Sequence, residues 1–510
     1  MAKPNEKLAG SLSVLKRLQS DGARVFPSKE FTRVHRERLL RGGFLQEVMK
    51  GWLISADPAA RDGDSTPWYG SFWEFCARYC HDRFGNDWHL SPEQSLLLAA
   101  ENTVIPAQVI VYAAKGANNT TRLAFGTSLY DLKQAQMPPR AELMELNGLR
   151  VYSPAAALFK VPGSFFVRHP IECQVALAAV RDASEVLRYL LEGGHSVVAG
   201  RLAGAFRRAG RADIADEIAN AMKAANYHFR ETDPFVSGRL GPIPATTAPI
   251  AGRLHAIWKA TRHTVLESFP RPPRRPRSQR RYLALVDDVY KSDAYHSLSI
   301  EGYSVTPELI ERVRTGRWNP ERAAADRQSR DALAARGYWQ AFQLVRRDVA
   351  DILSGGDAAE LVRKAHREWY RQLFQPCVTA GLLPPSALAG YRDVPVFLRT
   401  SRFVPPRSES VSDAMTALFD LIKEETEPAV RAVLGHWLFG FVHPYQDGNG
   451  RIARFLMNAL LASAGYPWTV IRVEDRDAYL SALDEASINM NVKPFVKFLA
   501  ERVRLSAKKR

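Results

Sequence analysis

A short stretch near position 445 combines side chains that could act together on a phosphate. It reads "FVHPYQDGNGRIARFLMN" and spans residues 441–458. His443 follows an apolar run that predicts a buried helix. Pro444 ends that helix and restricts the backbone conformation of His443. An imidazole at such a point can accept a proton near neutral pH. Asp447, four residues further on, is of the type that holds Mg²⁺ through oxygen beside a phosphate.

The glycines that follow predict a binding loop for an anion. Gly448, Asn449 and Gly450 expose backbone N–H groups where the next helix begins, and Asn449 or Gly450 could cap that helix. Arg451 and Arg454 are three residues apart on its first turn, and their planar guanidiniums suit phosphate oxygens. Together these residues indicate attack on a phosphate of a nucleotide bound with Mg²⁺. The residue types alone leave open an ordinary turn and a packed or solvated histidine.

The elements that must position this loop are helices. Residues 282–510 read as almost entirely helical, with the clearest runs at 282–300, 324–354, 357–374, 408–442, 451–464 and 477–505. The exception is "VPVFLRTSRFVPP", residues 394–406, whose β-branched and aromatic residues predict a β-hairpin or an extended flap.

The first part of the chain predicts a small DNA-binding module. A helix stripe over residues 8–18, a helix capped by Ser28, a basic helix in "TRVHRERLLR" and a hairpin around Lys50-Gly51 follow the order of a winged helix-turn-helix. The candidate DNA contacts are Arg33, His35, Arg36, Arg38, Arg41 and Lys50. An ordinary helical domain with a solvated basic face is the alternative.

We therefore expect a multidomain fold. The predicted parts are a winged helix-turn-helix domain at 1–60, a mixed α/β domain at 61–265, a Pro/Arg-rich linker at 266–281 and an all-α domain with a short β-hairpin flap at 282–510.

Composition bounds the class of protein. The 510 residues carry a net charge of +16, which favours polyanionic partners such as nucleic acid or nucleotides. Four cysteines in this length do not make a disulfide framework, and Cys76 and Cys80 lack a second pair with zinc spacing, so buried thiols in a reducing compartment are expected. Neither a signal peptide nor an apolar run of membrane-spanning length is evident, which predicts a cytoplasmic protein.

The string around His443 resembles the signature of the Fic (filamentation induced by cAMP) family, His-Pro-Phe-x-Asp/Glu-Gly-Asn-Gly-Arg-x-x-Arg. One position departs, because Tyr445 stands where the family usually has Phe, and its buried hydroxyl should need a partner. The resemblance implies transfer of AMP from Mg²⁺-bound ATP to a Ser, Thr or Tyr hydroxyl of a protein target. It makes His443 the general base and Asp447 the Mg²⁺ ligand. It makes the backbone of Gly448, Asn449 and Gly450 an anion hole, assisted by Arg451, with Arg454 on the γ-phosphate. The implied target-binding flap is Thr400, Ser401, Arg402, Phe403 and Val404.

A second motif, "SLSIEG", resembles the inhibitory helix of the same family, Ser/Thr-x-x-x-Glu-Gly/Asn. Ser297, Glu301 and Gly302 match it. The resemblance implies that Glu301 pairs with Arg454 and keeps the γ-phosphate out or misaligned, so the resting enzyme is autoinhibited. Removal of AMP by the same site, with the glutamate placing water, stays open.

The N-terminal half is similar in order and pattern to AbiEi-type antitoxins, which join a winged helix to an α/β domain. That similarity keeps a second function class open: a DNA-binding regulator, or a single-chain toxin–antitoxin protein, in which the Fic part is a sensor or transfers another phosphate-linked group. Self-modification, duplex DNA and a homodimer remain open as partners, and a membrane partner is not expected.

Overall fold

A computed structural model of the chain describes residues 4–59, 63–235, 248–273, 278–318 and 330–508. The described residues form two compact units. Unit 1 comprises Met1–Arg253 with Val396–Pro405, and unit 2 comprises Leu254–Pro395 with Pro406–Arg510. Residues 254–268 thus cluster with unit 2, although the sequence analysis placed 254–265 in the middle domain. Residues 274–277 of the predicted linker and 324–329 of a predicted helix lie outside the described residues.

Unit 1 begins with a small helical and antiparallel β-sheet region. Its elements are α1 (Pro4–Leu18), β1 (Val25–Pro27), a 3₁₀ turn (Ser28–Glu30), α2 (Arg33–Arg41), β2 (Leu45–Met49) and β3 (Trp52–Ser55). The strand order is β1-β3-β2, and the predicted hairpin around Gly51 is present. The predicted helix after Ser28 is only the 3₁₀ turn, because Phe31 is already extended (φ −110°, ψ 142°) and turns inward to the core.

The rest of unit 1 mixes strands and helices around an aromatic core. It contains α3 (Thr66–Phe84), β4 (Trp88–Leu90), α4 (Pro92–Ala99), β5 (Gln108–Ala113), β6 (Asn119–Arg122), β7 (Ser128–Lys133), β8 (Leu143–Leu146), β9 (Leu149–Tyr152), α5 (Pro154–Lys160), α6 (Gly163–Arg168), α7 (Pro170–Ala179), α8 (Ser184–Leu191), α9 (Ser196–Arg208) and α10 (Ala212–Ala224), with 3₁₀ turns at Ala124–Gly126 and Arg140–Glu142. A four-stranded sheet has the order β4-β5-β7-β6, with β5 and β7 parallel, and β8 pairs with β9. Trp68, Phe72 and Phe75 on one face of α3 are fully buried in a core that they share with Val109 and Val111 of β5.

Helix α11 (Pro249–Ser268) contains the boundary between the units, and the described remainder of unit 2 is helical. Its further elements are α12 (Gln279–Ile300), α13 (Pro307–Arg314), α14 (Arg330–Leu353), α15 (Ala358–Thr379), α16 (Val411–Glu424), α17 (Pro428–Val442), α18 (Asn449–Ser463), α19 (Arg476–Asn489) and α20 (Lys493–Lys508), with 3₁₀ turns at Pro385–Leu388, Ser408–Ser410 and Val473–Asp475. The predicted run 408–442 is therefore two helices, because Pro428 starts a new one. The predicted run 477–505 is likewise divided, between α19 and α20. Among the described residues, no helix has both the length and the apolar composition needed to cross a bilayer.

Helices α17 and α18 form the centre of unit 2. Helix α17 is apolar almost all round and is buried over nearly its whole length. Its His436 is structural, since the ring bonds the carbonyl of Ala453 in α18 (2.9 Å) and the hydroxyl of Tyr479 in α19 (2.7 Å). The two helices thereby hold the loop between them, residues 443–448, at a fixed position.

Candidate active site

His443 ends α17 in an unusual backbone conformation. Its φ is +52° and its ψ is 59°, a left-handed geometry that a non-glycine residue adopts at a cost of about 1–2 kcal/mol. Pro444 disfavours a right-handed helical residue before it, so the chain leaves the helix there. Backbone strain of this kind is common at functional sites.

The His443 ring is set up as a proton acceptor. Its Nδ1 lies 3.2 Å from the carbonyl oxygen of Gly440. Because a carbonyl can only accept, Nδ1 carries the proton, and Nε2 keeps its lone pair. Burial lowers the pKa of His443 to about 4, despite the carboxylates of Glu301 and Asp447 that act the other way. The imidazole is therefore neutral at physiological pH, the form that a general base requires.

The loop before α18 is shaped by Asn449 and Gly448. The Asn449 side chain accepts a hydrogen bond from the backbone N–H of Tyr445 (2.9 Å) and donates one to its carbonyl (2.8 Å). Gly448, with φ +82°, is the N-cap residue, so the cap is neither of the two predicted residues, Asn449 and Gly450. A Cβ on Gly448 would lie 2.8 Å from the Phe374 ring. Asn449 thus folds the loop with its side chain, and the backbone N–H groups of the first turn of α18 remain at the site.

Arg454 contacts Ser297 and Glu301 of the "SLSIEG" motif directly. Its Nη2 donates to Glu301 Oε1 at 2.6 Å and to the Ser297 carbonyl at 3.1 Å, and its Nε donates to Ser297 Oγ at 2.9 Å. The Arg454 side chain is 5% exposed and that of Glu301 is 23% exposed. A Cβ built on Gly450 would lie 2.3 Å from Glu301 Oε1. The Glu301 carboxylate therefore lies at the N-terminus of α18, where the helix dipole favours an anion.

Arg451 is buried beside Asp447. Its Nη2 donates to Asp447 Oδ2 at 3.1 Å. The Arg451 side chain is 1% exposed, whereas that of Asp447 is 52% exposed. The other Asp447 oxygen accepts from the backbone N–H of Gly448 at 2.6 Å. The carboxylate is thus oriented by two donors and open to solvent on one side.

Tyr445 fills an aromatic cluster. Its ring stacks on Tyr370 with centroids 3.9 Å apart and planes 4° from parallel. The expected hydroxyl partner is absent, since nothing among the described residues bonds this buried hydroxyl. Burial raises its pKa, so the phenol stays neutral. Stacking therefore holds this side chain without a polar contact from its hydroxyl.

Sequence reasoning missed Arg392. This residue is 4% exposed, and its guanidinium donates to the carbonyls of His443 (2.8 Å), Val442 (3.4 Å) and Pro406. It therefore fixes the backbone on which the imidazole stands. A lone arginine some fifty residues upstream, outside any motif, gave no signal in the sequence.

The predicted flap contains no β-strand. Residues 394–406 are all described, so the hairpin alternative is wrong, whereas the extended alternative and the role in target binding stay predictions. Thr400 has φ +60°, and the Arg402 carbonyl accepts instead from Ile105 N–H at 2.9 Å within unit 1. Phe403 is 1% exposed, Ser401 is also buried, and Val404 packs on the core of unit 1. Prolines at both ends of the segment remove the N–H groups that a hairpin ladder needs.

The candidate DNA contacts divide into two groups. His35 Nδ1 lies 3.0 Å from Ser11 Oγ, and Arg38 donates to the same hydroxyl at 2.8 Å, so both side chains hold α2 against α1. Arg33, Arg41 and Lys50 are exposed, Arg36 is half-buried, and Arg33 pairs with Glu37 at 2.7 Å.

Cys76 and Cys80 are buried, as the sequence predicts. All four cysteines are free, and Cys173 is also buried. Within the described ranges, no cluster of three or more His, Cys, Asp or Glu side chains is arranged to hold a metal ion.

Comparison with known proteins agrees with the signature. Residues 358–461 match the Fic/DOC family model. A protein adenylyltransferase Fic from Nematostella vectensis is 29% identical over 220 residues, which are 42% of this chain and 47% of that protein. Protein adenylyltransferase fic-1 from Caenorhabditis elegans is 34% identical over 104 residues, 20% of each chain.

A solved structure of Fic-1 from C. elegans is 16% identical with a TM-score of 0.37, covering 64% of this chain and 91% of that one. The matches span less than half the length of the two curated relatives. The matched segment contains the loop with His443 and the first turn of α18. The comparisons therefore show a match to the Fic/DOC family model over residues 358–461, the segment that contains this loop.

Proposed function

We propose that the chain is an autoinhibited protein adenylyltransferase that transfers AMP from ATP to a hydroxyl of a protein target. The curated relatives that match the Fic domain carry the name protein adenylyltransferase. The observation that carries the proposal is the position of the Glu301 carboxylate, against Gly450 and bonded to Arg454. A site that accommodates a carboxylate at a helix N-terminus beside a buried guanidinium is built to bind an anion such as a phosphate.

In the proposed reaction, His443 Nε2 takes the proton of the target hydroxyl. The hydroxyl oxygen forms a bond to the α-phosphorus, the bond from that phosphorus to the α–β bridging oxygen breaks, and pyrophosphate leaves. The first-turn N–H groups of α18 and the Arg451 guanidinium bind the phosphate oxygens, and Arg454 binds the γ-phosphate. A neutral His443 is available for this step because burial lowers its pKa to about 4.

Asp447 fits the role of Mg²⁺ ligand. Its carboxylate is half-exposed and already oriented by Gly448 and Arg451. Mg²⁺ at phosphate sites is usually held by one or two carboxylates together with phosphate oxygens, so one carboxylate suffices here. When bound, the ion would neutralise part of the charge of the triphosphate.

The test is transfer from labelled ATP with Mg²⁺ in a cell lysate, followed by mass spectrometry for an added AMP. We expect little labelling by the wild-type chain, strong labelling by Glu301→Gly, including self-modification, and none by Glu301→Gly/His443→Ala. Equal labelling by Glu301→Gly and by the double variant would refute the role of His443. An added phosphate or another phosphate-linked group instead of AMP would refute adenylylation.

We also propose that unit 1 binds duplex DNA through α2. The order of its first elements and the β1-β3-β2 sheet favour a winged helix, and Arg33 and Arg41 are exposed. Binding of the full chain to duplex DNA should weaken steeply with salt and weaken further in Arg33→Ala/Arg41→Ala. Absence of binding at low salt would remove this proposal.

A further inference from the structure

The guanidinium of Arg451 lies over two aromatic rings. Its central carbon is 5.1 Å from the ring centroid of Phe374 and 5.2 Å from that of Tyr303. Phe374 belongs to α15, whereas Tyr303 belongs to the turn that carries the inhibitory glutamate. Cation–π contacts of this kind fix the plane of a guanidinium and contribute about 0.5–2 kcal/mol each.

One edge of this arginine has no partner. Nothing among the described residues accepts a hydrogen bond from Arg451 Nε, although the side chain is 1% exposed. A buried N–H without an acceptor costs roughly 1–3 kcal/mol. The group is therefore oriented by rings and one carboxylate, with a donor left for a further acceptor. A phosphate oxygen bound at the start of α18 would supply that acceptor.

The helix end holds Tyr303 in place. Gly302 N–H donates to the Ser299 carbonyl at 3.0 Å, and Tyr303 N–H donates to the Leu298 carbonyl at 3.2 Å. With Gly302 at φ +85°, these bonds form a Schellman turn that ends α12. The same turn thus carries Glu301, which pairs with Arg454, and Tyr303, which lies over Arg451.

We propose that Tyr303 is a positioning residue for nucleotide binding, which keeps the Arg451 guanidinium aimed at the phosphates. This inference rests on the proposed function for the identity of the ligand. It gives the inhibitory segment two opposite effects: Glu301 blocks the site, and Tyr303 two residues later completes it. Removing the whole segment would consequently relieve the block and loosen Arg451 at once.

The test compares two substitutions in the Glu301→Gly protein. Tyr303→Phe keeps the π face, whereas Tyr303→Leu keeps an apolar side chain without it. The dissociation constant of an ATP analogue with a non-hydrolysable α–β linkage is measured calorimetrically with Mg²⁺. We expect Tyr303→Leu to bind about tenfold more weakly and Tyr303→Phe to bind as the parent does. Tyr295→Ala, which removes a half-buried tyrosine of α12 that packs on His296, is the control for general loss of packing and should leave affinity unchanged.

Several outcomes would overturn the inference. Unchanged or tighter binding by Tyr303→Leu would make Tyr303 irrelevant or purely inhibitory, and equal weakening by both substitutions would assign the effect to the hydroxyl. Thermal unfolding of each variant must match the parent for the comparison to hold, and Tyr303→Phe, with its near-identical shape, keeps the test decisive. If Glu301→Gly binds the analogue in a Tyr303-dependent way but transfers no AMP, the proposed function fails while the positioning role stands.

Discussion

Replacing Glu301 with glycine should tighten the binding of ATP by a calculable amount. In the resting protein, Arg454 NH2 donates to the Glu301 carboxylate at 2.6 Å, with both groups largely removed from water. An incoming γ-phosphate must displace that carboxylate to reach the same guanidinium. The two contacts from Arg454 to Ser297 do not involve Glu301, so the arginine keeps its position in the variant.

The size of the effect follows from the strength of the displaced contact. A hydrogen bond between charged groups contributes about 1.5–3 kcal/mol. Each 1.4 kcal/mol changes an equilibrium constant about tenfold, so removing the competitor should lower the dissociation constant of ATP by roughly 10- to 150-fold. The loss of one negative charge near the triphosphate acts in the same direction.

The assay is calorimetric titration with Mg²⁺-ATP in a His443→Ala background, which prevents turnover. Glu308→Gln, which neutralises an exposed acid on α13, is the matched control and should bind as the background does. Glu301→Gln should fall between glycine and wild type, because the amide keeps the size of the side chain without the charge. If Glu301→Gly binds ATP no more tightly than the background, the ion pair does not compete with the phosphate and the reasoning fails.

Three further outcomes are expected. Because the pKa of His443 is lowered to about 4, transfer by Glu301→Gly at saturating Mg²⁺-ATP should stay level down to about pH 5 and fall below it; a fall centred near pH 6.5 would contradict this. Asp293 is buried against the Tyr338 hydroxyl, at 2.7 Å, with Trp468 and Arg454 also facing it, and burial raises its pKa to about 6 from 3.8. Between about pH 4 and pH 6, the native state therefore keeps a proton on Asp293 that the unfolded chain has already released. Because the unfolded state binds fewer protons, the free energy of unfolding falls by about 3 kcal/mol as the pH rises through this range. Asp293→Asn should remove this loss. Measured by chemical denaturation, its free energy of unfolding relative to wild type should rise by up to that amount between pH 4 and pH 8. A difference between the two proteins that does not change with pH would refute the prediction. Arg392→Ala, which unpairs several buried carbonyls, should lower the free energy of unfolding by about 3 kcal/mol in urea, and Arg392→Lys should recover little of it.

The sequence alone was sufficient to predict the loop between α17 and α18, because the residues of the loop are close together in the chain. His443, Asp447 and Arg451 lie within nine positions, and the spacing on either side of Pro444 dictates helix, turn and helix. The contact from Glu301 to Arg454 was also foreseen, although 153 positions separate the two residues, because a motif marks each of them. The helical character of residues 282–510 followed from periodicity. Among the described residues, the errors were the two predicted single helices that the structure divides, at Pro428 and between α19 and α20.

Long-range contacts without a motif could not be foreseen. Arg392 and Phe374 reach the site from parts of the chain whose residue types suggest nothing beyond packing. The segment 394–406 has high β-propensity, but tertiary bonds to Ile105 decide its conformation. The cap of α18 was misplaced because Gly448 takes the cap position at φ +82° without a side-chain hydrogen bond. The Phe374 ring, which leaves no room for a Cβ at this position, is distant in the sequence and gave no signal.

Helix α12 has a consequence for how activity can be released. Its earlier turns are embedded in unit 2 through the buried rings of Tyr282 and Tyr290, and the Tyr282 hydroxyl donates to the Tyr466 carbonyl at 2.7 Å. Undocking the whole helix would open the core, at a cost comparable to unfolding the unit. Under the proposed function, an activating signal must therefore act by fraying the final turn, where Glu301 is held by one ion pair and is followed by Gly302 at φ +85°. Substitutions next to Gly302 should therefore change the resting rate of the proposed enzyme while the packing of the earlier turns of α12 stays intact.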